Sequence, residues 1–173
     1  EAGPLSGDSL ARRIQRDLRN YTSQSIKGYE DGPYTLSLLG VQTNRDGTLG
    51  LNTNTLKNTF EQNPKVVDAI FKNQLTTDNA DVSVRALGVN TKPGSYSITK
   101  SGGNFLIDGA AMSESGTEYT SSSGDSTGLI LNITDSNLSS ANVYYGKSLM
   151  TLVDDSLTNF LAFDGDIQNR LSG

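Results

Sequence analysis

Leu10, Ile14, Leu18 and Tyr21 recur at spacings of four, four and three, which places them on one face of an α-helix. Asp8 stands at the N-cap position of that helix, after the loop formers Gly3, Pro4 and Gly7. Arg12, Arg16 and Arg19 form a second stripe at helical spacing, with Arg13 close by. The pattern fades after Thr22 and breaks around Gly28, Gly32 and Pro33. A short apolar run at 36–39, ended by Gly40, predicts one helical turn with a glycine C-cap. Segments 41–43 and 49–51 flank Asn44-Arg45-Asp46-Gly47, a hairpin signal because Asp-Gly supplies the positive φ of tight turns. Helical spacing resumes with Leu56 and Phe60, beside an i,i+4 pair of Lys57 and Glu61. Asn63 then caps a further helix with Pro64 in its first position, predicting burial of Val66, Val67, Ile70 and Phe71.

After Phe71 the period shortens from helical to alternating. Val82 and Val84 alternate with Ser83 and Arg85, and Tyr96 and Ile98 with Ser97 and Thr99. Phe105 to Ile107, Tyr119, Leu129 to Ile133 and Val143 to Tyr145 continue this, punctuated by Lys92-Pro93-Gly94, Gly102-Gly103 and Asp108-Gly109. Short strands at this spacing predict a small antiparallel β domain, with 113–128 a polar and mobile loop. Leu149, Leu152, Val153, Leu157, Phe160 and Leu161 return to helical spacing before a break at Asp164-Gly165-Asp166. The expectation is an α+β fold: a helical unit over 1–75, with its hairpin near 41–51, whose return segment is 147–173. It carries an inserted antiparallel β domain over 78–145.

Composition narrows the chemistry. The 173-residue chain has no His, Cys or Trp. It therefore lacks an imidazole relay, an imidazole metal ligand, a disulfide and a thiolate site. A formal charge of −5 and a pI near 4.6 argue against nucleic-acid binding. No apolar run approaches a membrane span, and no lipidation motif is present. The chain starts at Glu1 with no signal-like region, as expected of a piece processed or excised from something longer. The absence of cysteine suits a secreted bacterial protein.

Each candidate motif has a simpler explanation beside it. Gly7-Asp8-Ser9-Leu10 spells an esterase signature, but that serine needs a histidine base, and Asp8 and Ser9 also suit a helix cap. Asn44, Asp46 and Gly47 fit the middle of a calcium loop, whereas Gln42 and Thr53 fail at its two ends. Asp164-Gly165-Asp166 reads as a loop, and Gly124-Asp125-Ser126 lacks the partner a serine nucleophile requires. Asn20, Asn132 and Asn137 each begin an N-glycosylation acceptor pattern, common by chance in so Ser/Thr-rich a chain. The arginine stripe is either a solvated face or a contact for an acidic partner. No constellation calls for a metal, a cofactor or a catalytic residue.

The segment from Gly3 to Arg19 resembles the conserved-region helix of bacterial flagellar hook-associated protein 2, the filament cap. The block from Tyr34 to Asn52 is similar to the family's next motif, and Leu56-Lys-Asn-Thr-Phe60, then Asn63-Pro64 through Phe71, continue it in order. Residues 149–173 resemble the helix and loop that follow in the family. The β-like stretch between is a departure, although Gly94-Ser-Tyr-Ser-Ile-Thr99 is similar to a short β motif of flagellins and cap proteins. The resemblance implies a secreted, non-enzymatic protein at the flagellar tip. Its partners would be further copies of itself, in a homo-oligomeric cap, and flagellin, whose assembly the cap promotes; some members also adhere to host mucus or glycans. Two rival readings stay open at this point. One is a surface adhesin whose Tyr96, Tyr119, Tyr144 and Tyr145 stack on glycans; the other is a carboxylate-based hydrolase.

Overall fold

A computed structural model describes residues 24–44 and 48–155, together with Arg16, Asn20 and Thr158. The chain forms two compact units. One comprises Glu1–Ser25, Tyr34–Val67 and Asp155–Gly173, the other Ile26–Pro33 and Asp68–Asp154.

In the first unit, 36–40 form the expected turn: Leu39 N donates to Leu36 O at 3.1 Å and Val41 N to the same carbonyl at 3.0 Å. Gly40 ends it at φ 81°. Strands β1 (Val41–Thr43) and β2 (Leu49–Leu51) pair antiparallel, Val41 opposite Leu51. The Asp46-Gly47 turn between them lies outside the described residues. Asn44 and Thr48 close its base through a main-chain bond of 2.8 Å and a side-chain bond of 2.9 Å. Helix α1 (Thr53–Gln62) starts at Asn52, whose Oδ1 accepts from Asn54 N and Thr55 N and so satisfies two otherwise orphaned donors. Asn63 repeats the device, its Oδ1 accepting from Lys65 N at 3.1 Å while its Nδ2 donates to the buried Tyr34 at 3.2 Å. Helix α2 (Val66–Phe71) then departs from the expected burial. Val66 and Ala69 are buried and Val67 and Ile70 half-buried, but Phe71 is 62% exposed because the helix ends there and the chain turns into a strand.

The second unit is a β-sandwich. Strands β3 (Gln74–Thr77), β4 (Val82–Ala86), β5 (Gly94–Ser101), β6 (Asn104–Ile107) and β7 (Ala110–Ala111) are followed by β8 (Ser113–Ser115), β9 (Glu118–Thr120), β10 (Ile130–Ile133) and β11 (Ser140–Gly146). One sheet has the order β3-β11-β5-β6-β7, the other β4-β10-β9-β8, and every pairing is antiparallel. Alternation in sequence becomes alternation in burial: Tyr96 and Ile98 of β5, Ala141 and Val143 of β11, and Leu131 and Ile133 of β10 enter one shared core. Phe105 of one sheet meets Tyr119 of the other edge-to-face, centroids 5.0 Å apart. The fold is thus α+β. The stretch 113–128, expected to be a loop, instead holds β8, β9 and a 3-10 turn at Gly124–Ser126, with Tyr119, Ser121 and Ser126 buried.

Register fixes which loops meet. The β4–β5 loop, the β9–β10 loop and the exit from β11 all lie at one end of the sandwich. The turns at 102–103 and 116–117 and the loop 134–139 lie at the other. The connectors are fastened at the first end. Tyr29, 3% exposed, donates its hydroxyl to Lys72 O at 2.6 Å. Asn73 Oδ1 accepts from Ser148 N at 2.8 Å and from Thr151 Oγ1 at 2.9 Å. Ser148 caps the helical residues 149–155, its Oγ accepting from Thr151 N. Leu149, Leu152 and Val153 are helical as expected; Leu157, Phe160 and Leu161 lie outside the described residues.

Candidate interaction surface

Of the arginine stripe, Arg16 lies at an exposed helical position, while Arg12 and Arg19 fall outside the described residues, as do Gly7-Asp8-Ser9-Leu10 and Asp164-Gly165-Asp166. The tyrosines divide. Tyr96 and Tyr119 are 2% and 8% exposed, so they are core residues and offer no stacking face, whereas Tyr144 and Tyr145 are half-buried. Ser126 is buried, with its hydroxyl 2.7 Å from that of Ser121. Asn137 is exposed and Asn132 half-buried in β10. Among the described residues no group of three or more acidic, His or Cys side chains is placed to hold a metal.

What the structure does bring together is a pair of loops at one end of the sandwich. The β4–β5 loop, 87–93, lies against the β9–β10 loop, 121–129. Thr91 is the rivet: its Oγ1 accepts from Gly88 N at 3.0 Å and donates to Thr127 O at 2.9 Å. Lys92 adds a main-chain bond to Asp125 O at 2.9 Å and an ion pair to Asp125 Oδ1 at 2.7 Å. Gly88 and Gly128 pass so close that a Cβ on Gly88 would lie 2.6 Å from Gly128 Cα, a separation only glycine allows. Beneath them the Tyr96 hydroxyl reaches Asp125 O at 2.9 Å as well as Lys92 O. Its pKa is pushed up to about 12, first by burial and then by the Asp125 and Asp108 carboxylates. The Lys92 ammonium, hydrogen-bonded to Asp125, holds that carboxyl below its usual range, and the charge of Lys27 acts in the same direction.

These ties leave a groove of about 640 Å³ lined by residues 88–93, Gly124, Thr127, Tyr145 and Lys147. Lys92 and Lys147 line it, the Lys92 ammonium being paired with the Asp125 carboxylate. Val89 stands at its rim, 101% exposed, with Leu87 36% exposed beside it. Sequence reasoning missed this surface. Leu87, Gly88 and Val89 follow the alternating Val82–Arg85 run and carry no motif that marks them out in sequence.

The described residues define an α+β protein whose second unit is a two-sheet antiparallel sandwich. The family model described as flagellar hook-associated protein 2 C-terminus matches residues 1–158, and the chain belongs to that family. It is accordingly a hook-associated protein of the bacterial flagellum, structural in kind. Comparison with curated proteins and with solved structures gave no match.

Proposed function

We propose that the chain serves in the filament cap, where copies of it form a homo-oligomer at the flagellar tip and promote assembly of exported flagellin. The observation that carries this reading is the family match over residues 1–158. The β-sandwich is then a domain inserted into a helical, leg-like unit, reached through α2 and left through the helix at 149–155. Secretion to the outside of the cell follows from the same reading. Adhesion to host mucus or glycans gains nothing from Tyr96 or Tyr119, which lie in the core.

Complementation of a cap-deletion strain with the full-length gene tests the proposal: restored swimming supports it, and filaments that form equally well without the gene refute it. Within that assay the arginine stripe is an interface with an acidic surface on a neighbouring subunit or on flagellin. Exposed ion pairs are each worth about 0.2–1 kcal/mol and weaken in salt, but a symmetric ring repeats each one at every interface. Changing Arg12, Arg16 and Arg19 to glutamate is therefore expected to impair swimming without unfolding the protein. A folded, exported triple variant that swims normally would make the stripe a solvated face.

A further inference from the structure

We infer that the β-sandwich carries a seat for the motif Ile26-Lys27-Gly28-Tyr29 that a second copy of the chain can fill in trans, so that two chains join by exchanging this strap. The inference stands independently of the cap reading. The seat reads each residue of the motif. Ile26 is 1% exposed and Tyr29 3%, and the Tyr29 hydroxyl donates to Lys72 O at 2.6 Å. Gly28 has φ +83°, and a Cβ there would lie 1.9 Å from Tyr145 O, a position that glycine alone tolerates. Gly146 completes the seat, because a Cβ on it would lie 2.6 Å from Tyr29 Cε2. Lys27, after Lys92, adds positive charge toward the Asp125 carboxylate. The strap is thus a tethered ligand of the sandwich. Its buried residues are confined to 26–29, while Gln24 and Ser25 before them and Glu30 and Asp31 after them are exposed, and both ends lead into the other compact unit. The same contacts form in cis and in trans, so only the tether favours the chain's own strap, through an effective concentration of about millimolar. A neighbouring copy held at that concentration competes on equal terms.

The test begins with the whole Gly28→Ala chain, whose own strap cannot seat, and a fluorescent peptide spanning residues 25–34. The peptide is expected to bind this chain and to raise its urea midpoint. A peptide with alanine at the Gly28 position is expected to bind at least roughly tenfold more weakly. Exchange between copies is then read by sedimentation of a mixture. The Gly28→Ala chain keeps the seat but not the strap, and the Gly146→Ala chain keeps the strap but not the seat. Their mixture is expected to form a heterodimer that neither chain forms alone. The wild-type chain supplies a measurement that needs no variant to fold. Peptide at about 1 mM matches the tether, and is expected to speed amide exchange at 26–29 while β11 stays protected. Equal binding of the two peptides would overturn the proposal, as would unchanged exchange in the wild type with the peptide in excess. A mixture that stays monomeric with both chains folded would overturn strap exchange between copies.

Discussion

Replacing Gly28 with alanine isolates the contribution of the Ile26–Pro33 segment to the β-sandwich. Gly28 has φ +83°, and a Cβ there would lie 1.9 Å from Tyr145 O. That oxygen cannot yield, because Tyr145 belongs to β11, held between β3 and β5 in the middle of its sheet. The segment must lift instead. Lifting exposes Ile26 and Tyr29, now 1% and 3% exposed, and breaks the Tyr29–Lys72 hydrogen bond. Burial of each side chain is worth about 1.5–3 kcal/mol and the hydrogen bond about 1 kcal/mol. Full detachment therefore costs about 4–7 kcal/mol, an upper bound because a detached segment still packs in part. Gly102→Ala is the control: φ is +59° there but no atom lies within 4 Å of the added Cβ, leaving only left-handed strain of about 1–2 kcal/mol. Urea unfolding of both variants is expected to place Gly28→Ala at least about 2 kcal/mol below Gly102→Ala. Amide exchange in β3 should accelerate in the Gly28 variant alone. Equal losses for the two would show that the segment contributes no stability.

Alkaline pH offers a second check. The hydroxyls of Tyr29 and Tyr96 are both pushed up to about 12, mainly by burial, from an ordinary value of 10.0. Because the unfolded chain releases these protons first, stability is fully retained below pH 10 and falls as pH rises toward 12. The urea midpoint should drop through that window, and less steeply in Tyr29→Phe and Tyr96→Phe; a flat profile in the wild type would contradict the burial. Ser121→Ala should cost about 1–2 kcal/mol by removing the buried hydroxyl pair with Ser126, and should speed amide exchange at Gly128 and Leu129. An unchanged unfolding midpoint would remove that pair from the account of the loop.

Strands whose inward residues are all apolar were legible from sequence. Val82 and Val84, Tyr96 and Ile98, and the run through Ile133 alternate in the chain as they do in burial. Strand β3 was not, since Gln74-Leu75-Thr76-Thr77 shows no apolar alternation and Leu75 is 44% exposed. Its place comes from pairing with β11, a partner nearly seventy residues away that no local period reports. Phe71 misled for the opposite reason. It stands four residues after Val67, on helical spacing, but spacing cannot say where the buried stripe of a short helix ends.

The interaction surface was illegible for a related physical cause. Apolar periodicity detects burial driven by hydrophobic transfer, whereas the two loops here are held by hydroxyls, main-chain bonds and the absence of side chains. Ser121, Ser126 and Thr91 are buried because each has its hydrogen bonds satisfied, and Gly88 and Gly128 touch because neither has a Cβ. In sequence, Ser121, Ser126 and Gly128 fall in a stretch expected to be a polar, mobile loop, and Gly88 and Thr91 carry no signal of their own. The hairpin turns show how context separates the two outcomes. Gly102, Gly103 and Gly116 have positive φ, as Gly128 does, yet a Cβ added to any of those three would meet nothing within 4 Å. There glycine serves only the turn, while at Gly88 and Gly128 it lets two backbones lock. At the end where the chain enters and leaves the sandwich, Tyr29 and Asn73 add side-chain bonds that fasten the connectors.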